Sequence, residues 1–223
     1  MISKFDNLEY EGACTSFHKY IIAGMSQPYL RELKIIKNYI NKNKNKNNLY
    51  IDIGGHIGTT ALPYSRLFKE VLVYEPNKKN YNYLINNIKR NNIKNVNAKN
   101  YGIFNKSMKA KIVKHGSNSG CYYIKETDDN NLLNNDEINV VKLDDEKIET
   151  KVDFIKIDTE GSELFVLKGA IELIKKNKPL IQIETNNCSN KYFGYDKKEI
   201  YNFMKKLNYK ILDDDGNDPI FFI

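Results

Sequence analysis

The chain has 223 residues, 41% of them hydrophobic and 28% charged, with a formal net charge of +7. That length supports one good core, or a domain with a small cap, and no apolar run approaches the length that crosses a bilayer. Cys14, Cys121 and Cys188 are far apart with no Cys-x-x-Cys, and the three histidines show no ligand spacing, which argues against disulfides and structural zinc.

The N-terminus lacks the apolar stretch of a signal peptide, so a cytoplasmic protein is expected. The positive charge would suit a nucleic-acid partner. Lysine, asparagine and isoleucine are abundant throughout and arginine is scarce, however, so compositional drift explains the charge better, and nucleic acid is not expected as the partner.

In chain order, Leu30, Leu33, Ile36 and Ile40 share a face of a helix over 28–40. A Lys/Asn-rich linker over 41–48 follows, which divides an N-terminal segment (1–48) from a main domain (49–223). The spacing then predicts a strand at 49–53, a helix at 58–68 and a strand at 71–75. Asn77 can cap a helix to about Arg90, with Tyr81, Leu84, Ile85 and Ile88 on one face. A third strand covers 96–101. Between 104 and 143 lie short alternating segments (110–113, 120–124, 138–143) and an Asp/Asn-rich loop at 128–136, which read as a small β-rich insert. A buried-type strand at 152–157, a helix at 163–176, a strand at 179–183 and a helix at 197–207 follow. The chain ends in strand, turn and strand (209–212 and 219–223) with no helix between, which is an antiparallel hairpin. The expected fold is therefore α/β and Rossmann-like: a mostly parallel seven-stranded sheet with helices on both faces and a C-terminal antiparallel hairpin. This is the class I methyltransferase layout, whereas a nicotinamide-binding domain would continue in βα units.

Asp52 closes the first of these strands, and Gly54, Gly55 and Gly58 punctuate the turn after it. Such a turn lets the backbone approach a ligand where a Cβ would block it. Gly54 and Gly58 are best placed for this, and the N–H groups of a helix starting near Gly58 would face the ligand. Asp52 can reach a ligand amine or ordered water, and Glu75 can accept both hydroxyls of a ribose. His56 stands where the second glycine of G-x-G-x-x-G would fall. A pyrophosphate needs that close approach and S-adenosylmethionine (SAM) has none, so SAM is favoured over NAD. His56 itself either touches cofactor or substrate or simply fills the turn.

A second constellation lies at 154–161. Lys156 interrupts an apolar strand, Asp158 projects to the same face, and Glu160 follows at the strand's carboxyl end, where open α/β sheets bind ligands. A structural ion pair is the alternative. Glu184 ends the next strand before Thr185, Asn186 and Asn187.

Tyr50-Ile-Asp-Ile-Gly-Gly-His-Ile-Gly, Tyr74-Glu-Pro-Asn, Val141-Lys-Leu-Asp-Asp, Ile155-Lys-Ile-Asp-Thr-Glu-Gly-Ser-Glu and Val166-Leu-Lys-Gly-Ala together resemble the FkbM family of SAM-dependent methyltransferases, over roughly 28–184. The resemblance implies O-methylation, often of sugar or polyketide hydroxyls, with S-adenosylhomocysteine as the product. It implies SAM contacts from Asp52, Gly54, His56, Gly58 and Glu75, and the expected cofactor set is completed by Gly55, Pro76, Tyr101, Gly102 and Asp158. The family commonly carries alanine and asparagine where this chain has Gly55 and His56.

The expected acceptor is a small-molecule or glycan hydroxyl. Glu160 is the leading base, Lys156 and Asp158 position it or the cofactor's amino group, and Glu184 is the reserve base. A Mg²⁺-assisted variant through Asp158, Glu184 and Asn186 or Asn187 is possible but not favoured, and activity surviving EDTA would rule it out. Acceptor recognition is expected from the N-terminal segment, the insert and the 186–195 loop, with Tyr20, Tyr29, Tyr122, Tyr123, Tyr192 and Tyr195 as candidate stacking faces. An RNA or protein methyltransferase and a non-catalytic nucleotide-binding module are the alternatives; the sequence does not indicate an oligomeric state.

Overall fold

The computed structural model describes residues 2–12, 27–44, 46–116, 119–126 and 137–223, and of 27–30 the backbone alone. Cys14, Tyr20, the Tyr29 side chain and the 128–136 loop thus lie outside the described residues.

The chain opens with a hairpin, β1 (Ile2–Phe5) and β2 (Leu8–Glu11), then helix α1 (Gln27–Lys42). The glycine-turn unit follows as β3 (Leu49–Ile53), α2 (Ala61–Tyr64), β4 (Glu70–Tyr74), α3 (Lys78–Arg90) and β5 (Val96–Lys99). Strands β6 (Gly102–Ile103), β7 (Met108–Lys114), β8 (Tyr122–Glu126) and β9 (Glu137–Val141) build the insert. After β10 (Val152–Ile157) come α4 (Glu163–Lys168), α5 (Ile171–Asn177), β11 (Leu180–Ile183), α6 (Cys188–Phe193) and α7 (Lys197–Lys206). The hairpin of β12 (Lys210–Asp213) and β13 (Ile220–Phe222) closes the chain.

Seven strands form one sheet in the order β12-β13-β11-β10-β3-β4-β5. The pairs β4–β5, β3–β4, β3–β10 and β10–β11 are parallel, and β13 runs antiparallel to both its neighbours. The sheet is mixed, with one reversed strand near its edge. Every residue of β3 and β10 is buried, as expected for strands covered on both faces. Ile51, Ile53, Ile155, Ile157, Ile181 and Ile183 pack against Leu164, Leu167, Ile174 and Met204 of α4, α5 and α7. Tyr50, Val71, Val73, Phe154 and Leu180 pack on the other face with Ile36 of α1, Leu62 of α2, and Leu84 and Ile88 of α3. On this second face the apolar rows give way to polar ones at the carboxyl ends of the strands: Lys156 is in register with Asp52 on one side and Gln182 on the other.

The insert folds as a four-stranded sheet, β6-β9-β7-β8, around Phe104, Ala110, Ile112, Ile124, Ile138 and Val140. The N-terminal hairpin docks on α3 through asparagines. Asn87 Oδ1 accepts from Glu11 N–H (2.7 Å), and Asn91 Oδ1 accepts from Glu9 N–H (2.8 Å).

Several boundaries differ from expectation. The helix expected over 58–68 is the single turn α2. Gly58 at φ +94° starts outside helical space, and Pro63 has no N–H to donate. The single helix expected over 163–176 is broken into α4 and α5 at Gly169, where a Cβ would lie 2.0 Å from the Phe104 carbonyl oxygen, so the insert presses on the break. The N-terminal hairpin was not expected, and the 186–195 loop contains α6.

Candidate functional site

The turn after β3 is anchored to the neighbouring strand: the N–H groups of Gly54 and Gly55 both donate to the Tyr74 carbonyl (2.9 and 3.2 Å). Gly54 has φ +90°, and a Cβ there would sit 1.8 Å from the Asp158 carbonyl oxygen. At Gly55 a Cβ would sit 2.1 Å from Val73 Cγ1, and at Gly58 2.3 Å from Leu62 Cδ1. Protein packing therefore demands these glycines; of the three, Gly54 alone lines the cavity. His56 has φ +49°, a region that asparagine and histidine enter more readily than most residues. Its Nε2 lies 2.9 Å from Ser119 Oγ, tying the turn to the insert, and burial pushes the imidazole down to about 4, so it is neutral at physiological pH.

A cavity of about 380 Å³ opens at the carboxyl ends of β3, β4, β10 and β11, within the usual range for small-molecule sites. At one end, Glu75 Oε2 accepts from His56 N–H (2.8 Å) and Oε1 from Asn77 N–H (2.8 Å). Each oxygen keeps acceptor capacity for a further donor. Burial pushes this carboxyl up to about 8, against those two N–H groups. Beside it, Ile103, Ile112 and Ile124 make an apolar wall, with Pro76 and Gly102 at its edge. This end of the cavity is thus a slot of apolar side chains that closes on the Glu75 carboxyl.

The other end is acidic. Lys156 Nζ donates to Asp158 Oδ2 at 2.5 Å. Burial opposes the charge on Lys156, but Asp158, Asp52 and Asp218 outweigh it and hold the ammonium protonated. Burial alone would raise Asp158, and Lys156 instead holds it below its ordinary value, with a further hydrogen bond from Glu184. Burial, with the charges of Asp158, Glu160 and Glu163, drives Glu184 well above the ordinary carboxylate range. Glu160 sits in the left-handed region (φ +55°), an unusual backbone state for glutamate that concentrates at functional sites. Burial, then the charge of Asp158, pushes it up to about 7, where a carboxyl can exchange a proton at neutral pH.

Of the expected residues, the cavity brings together Gly54, His56, Glu75, Pro76, Gly102, Lys156, Asp158, Glu160 and Glu184. Asp52 is fully buried and does not line the cavity; burial, opposed by Lys156 and by the Tyr50 and Thr60 hydroxyls, pushes it up to about 6. Tyr101 points away, donating to Glu146 Oε2 (2.9 Å). Tyr122 lines the cavity, Tyr123 and Tyr192 stack at 4.0 Å, and Tyr195 is buried with its hydroxyl donating to the Gly161 carbonyl (2.7 Å). Where Mg²⁺ was considered, Lys156 already brings a positive charge to Asp158, and Asn186 donates to Glu184 Oε2 (2.7 Å). Sequence reasoning missed Glu32 of α1 and Asp218 of the closing turn, both of which line the acidic end. Glu32 adjoins the apolar stripe of its helix, and Asp218 was hidden among turn-forming aspartates.

A mixed α/β sheet whose last strand in the chain is reversed and lies second from the edge, with a cavity at the carboxyl ends of its parallel strands, is the architecture of class I methyltransferases. The Methyltransferase FkbM domain profile matches residues 52–211, and the chain belongs to this family. Methyltransferase FkbM from Methylobacillus flagellatus KT is similar in structure (TM-score 0.58, 22% identity), over 80% of this chain and 44% of that one, so the chain spans less than half of that protein. SMU.1697c from Streptococcus mutans, solved in complex with SAH, aligns over 86% of this chain and 96% of its own (TM-score 0.52, 13% identity). The Thermus thermophilus 16S rRNA N2 G1207 methyltransferase RsmC, solved with AdoMet and guanosine, aligns over 100% of this chain and 49% of its own (TM-score 0.53, 12% identity). No curated protein matches the chain significantly. No helix among the described residues is long and apolar enough to cross a membrane.

Proposed function

We propose that the chain is a SAM-dependent O-methyltransferase acting on a hydroxyl of a sugar or a related small-molecule or glycan acceptor. One observation carries this reading: a single cavity joins the Glu75 slot to the acidic end at Glu160. Family membership and the fold support it.

In this reading Glu75 holds the ribose hydroxyls, and Ile103, Ile112 and Ile124 cover the adenine. Gly54 and Asp158 flank the amino-acid end. Bound SAM supplies an electrophilic sulfonium methyl, and methyl transfer is an in-line displacement whose rate depends on alignment. The chain must orient the acceptor hydroxyl and take its proton. Glu160 is assigned as that base. Glu184 serves less well because its surroundings disfavour its charged form and Asn186 already donates to its Oε2 (2.7 Å). Lys156 and Asp158 position the charge of the site. Polyhydroxyl acceptors match Glu32 and Asp218, whose oxygens accept hydroxyl donors. A phosphate backbone would instead meet carboxylates at this mouth, which weighs against an RNA acceptor.

Glu160→Gln keeps the shape of the side chain and removes the base. Its turnover, read by mass spectrometry as acceptor molecules gaining one methyl group, should fall about 10²–10⁴-fold. S-adenosylhomocysteine binding should remain close to wild type. Near-normal turnover in this variant would remove Glu160 from the role.

A further inference from the structure

Three groups of different chemistry meet beside the acidic end of the cavity. His115 follows β7, Glu160 lies in the turn after β10, and Cys188 opens α6. His115 Nε2 is 3.2 Å from Glu160 Oε2. Cys188 Sγ is 3.6 Å from that oxygen and 3.9 Å from the same nitrogen. Among the described residues, this is the set of three His, Cys, Asp or Glu side chains whose donor atoms all lie within 4.8 Å of one another.

Ligand atoms about 2.0–2.3 Å from a tetrahedral zinc ion are about 3.3–3.7 Å from one another. The observed triangle matches one face of that tetrahedron to within a few tenths of an ångström. Oxygen-only cages suit Mg²⁺ and Ca²⁺, whereas a nitrogen, a sulfur and a carboxylate oxygen select the zinc class. Burial and the Glu160 charge push the Cys188 thiol up to about 12, so a metal must displace its proton on binding; the resulting thiolate and the carboxylate neutralise a divalent cation. Lys191, an opposing charge near His115, is fully exposed and screened.

The donors are also held in place. Cys188 N–H donates to Asn186 Oδ1 (2.8 Å), and Asn186 Nδ2 in turn donates to Glu184 Oε2 (2.7 Å) and Glu160 Oε2 (3.4 Å). The His115 ring packs against Tyr192 and Tyr123, with centroids at 5.2 and 6.0 Å. Such outer contacts are how metal sites orient their ligands. Sequence spacing could not show the site, because Cys188 lies 28 positions from Glu160 and 73 from His115 along the chain.

We propose that His115, Glu160 and Cys188 form a binding site for a zinc-class divalent metal, with the fourth position left to water. The site does not depend on the methyltransferase reading. One consequence rests on that reading: metal bound to Glu160 engages the assigned base, so Zn²⁺ inhibits methyl transfer.

The test is Co²⁺ added to the full chain and followed by absorption. The expected spectrum has visible tetrahedral bands and a near-ultraviolet thiolate-to-cobalt band, both displaced by Zn²⁺. Cys188→Ser should lose the thiolate band, and His115→Ala should weaken Co²⁺ binding about tenfold or more. A thermal shift with S-adenosylhomocysteine reports separately whether each variant is folded and whether the cofactor reading holds. A spectrum with no thiolate band, or one whose band survives in Cys188→Ser, overturns the site.

Discussion

The carboxylate of Glu75 is held by two backbone N–H groups before any ligand arrives, yet burial keeps its carboxyl near 8. Ribose hydroxyls are donors and favour the charged form. S-adenosylhomocysteine should therefore bind about 25-fold more tightly at pH 8.5 than at pH 6.5 by calorimetry, since each pH unit below the pKa is tenfold in the charged fraction. Glu75→Gln should weaken binding about 10–100-fold and flatten that pH profile. A profile that persists in the variant would assign the dependence to another group. The place of Glu75 in the cavity was legible in the sequence, because the acid closes the second strand of a glycine-turn unit. Asp52 was less so: it is fully buried in register with Lys156 and does not line the cavity. His115 and Cys188 were not legible at all, because their meeting depends on how the insert and α6 fold over the sheet.

At the scale of elements, the sheet strands and α3 followed from apolar runs and the Asn77 cap, whose side chain accepts from Lys79 and Asn80 N–H. The reversed β13 followed from the absence of a helix before it. The N-terminal hairpin escaped notice because its four-residue strands are secured by Asn87 and Asn91, 76 and 82 positions away. The glycine turn was read as making room for a ligand, whereas at Gly55 and Gly58 it makes room for Val73 and Leu62. Gly55→Ala should cost about 1–3 kcal/mol in urea unfolding, as expected for an overpacked site. Gly54→Ala should cost more, since it adds a left-handed φ to a clash with backbone. Gly194→Ala has the same sign of φ (+68°) but open space around its Cβ, and should cost only about 1–2 kcal/mol. Equal losses in Gly54→Ala and Gly194→Ala would show that φ, not packing, governs Gly54.

For the whole molecule, a net charge of +7 coexists with a cavity whose far end is acidic. Burial raises Asp52 to about 6, Asp218 to about 7 and Glu75 to about 8, so the folded state binds more protons than the unfolded chain. Stability is then lost as pH rises through those values. His56, lowered to about 4, acts with the opposite sign, but only as pH falls below about 6.5. Between pH 6.5 and 8.5 the melting temperature of the ligand-free protein should fall, and a flat or rising curve would contradict the burial of these carboxyls. The central claim is that the Glu75 slot binds the adenosine of a methyl donor. Thermal unfolding with S-adenosylhomocysteine, set beside NAD, tests it most directly, because a ligand that binds only the folded state must raise its melting temperature. S-adenosylhomocysteine should give a concentration-dependent rise that Glu75→Gln diminishes, and NAD none; no rise with S-adenosylhomocysteine, or an equal rise with NAD, would overturn the assignment of the slot.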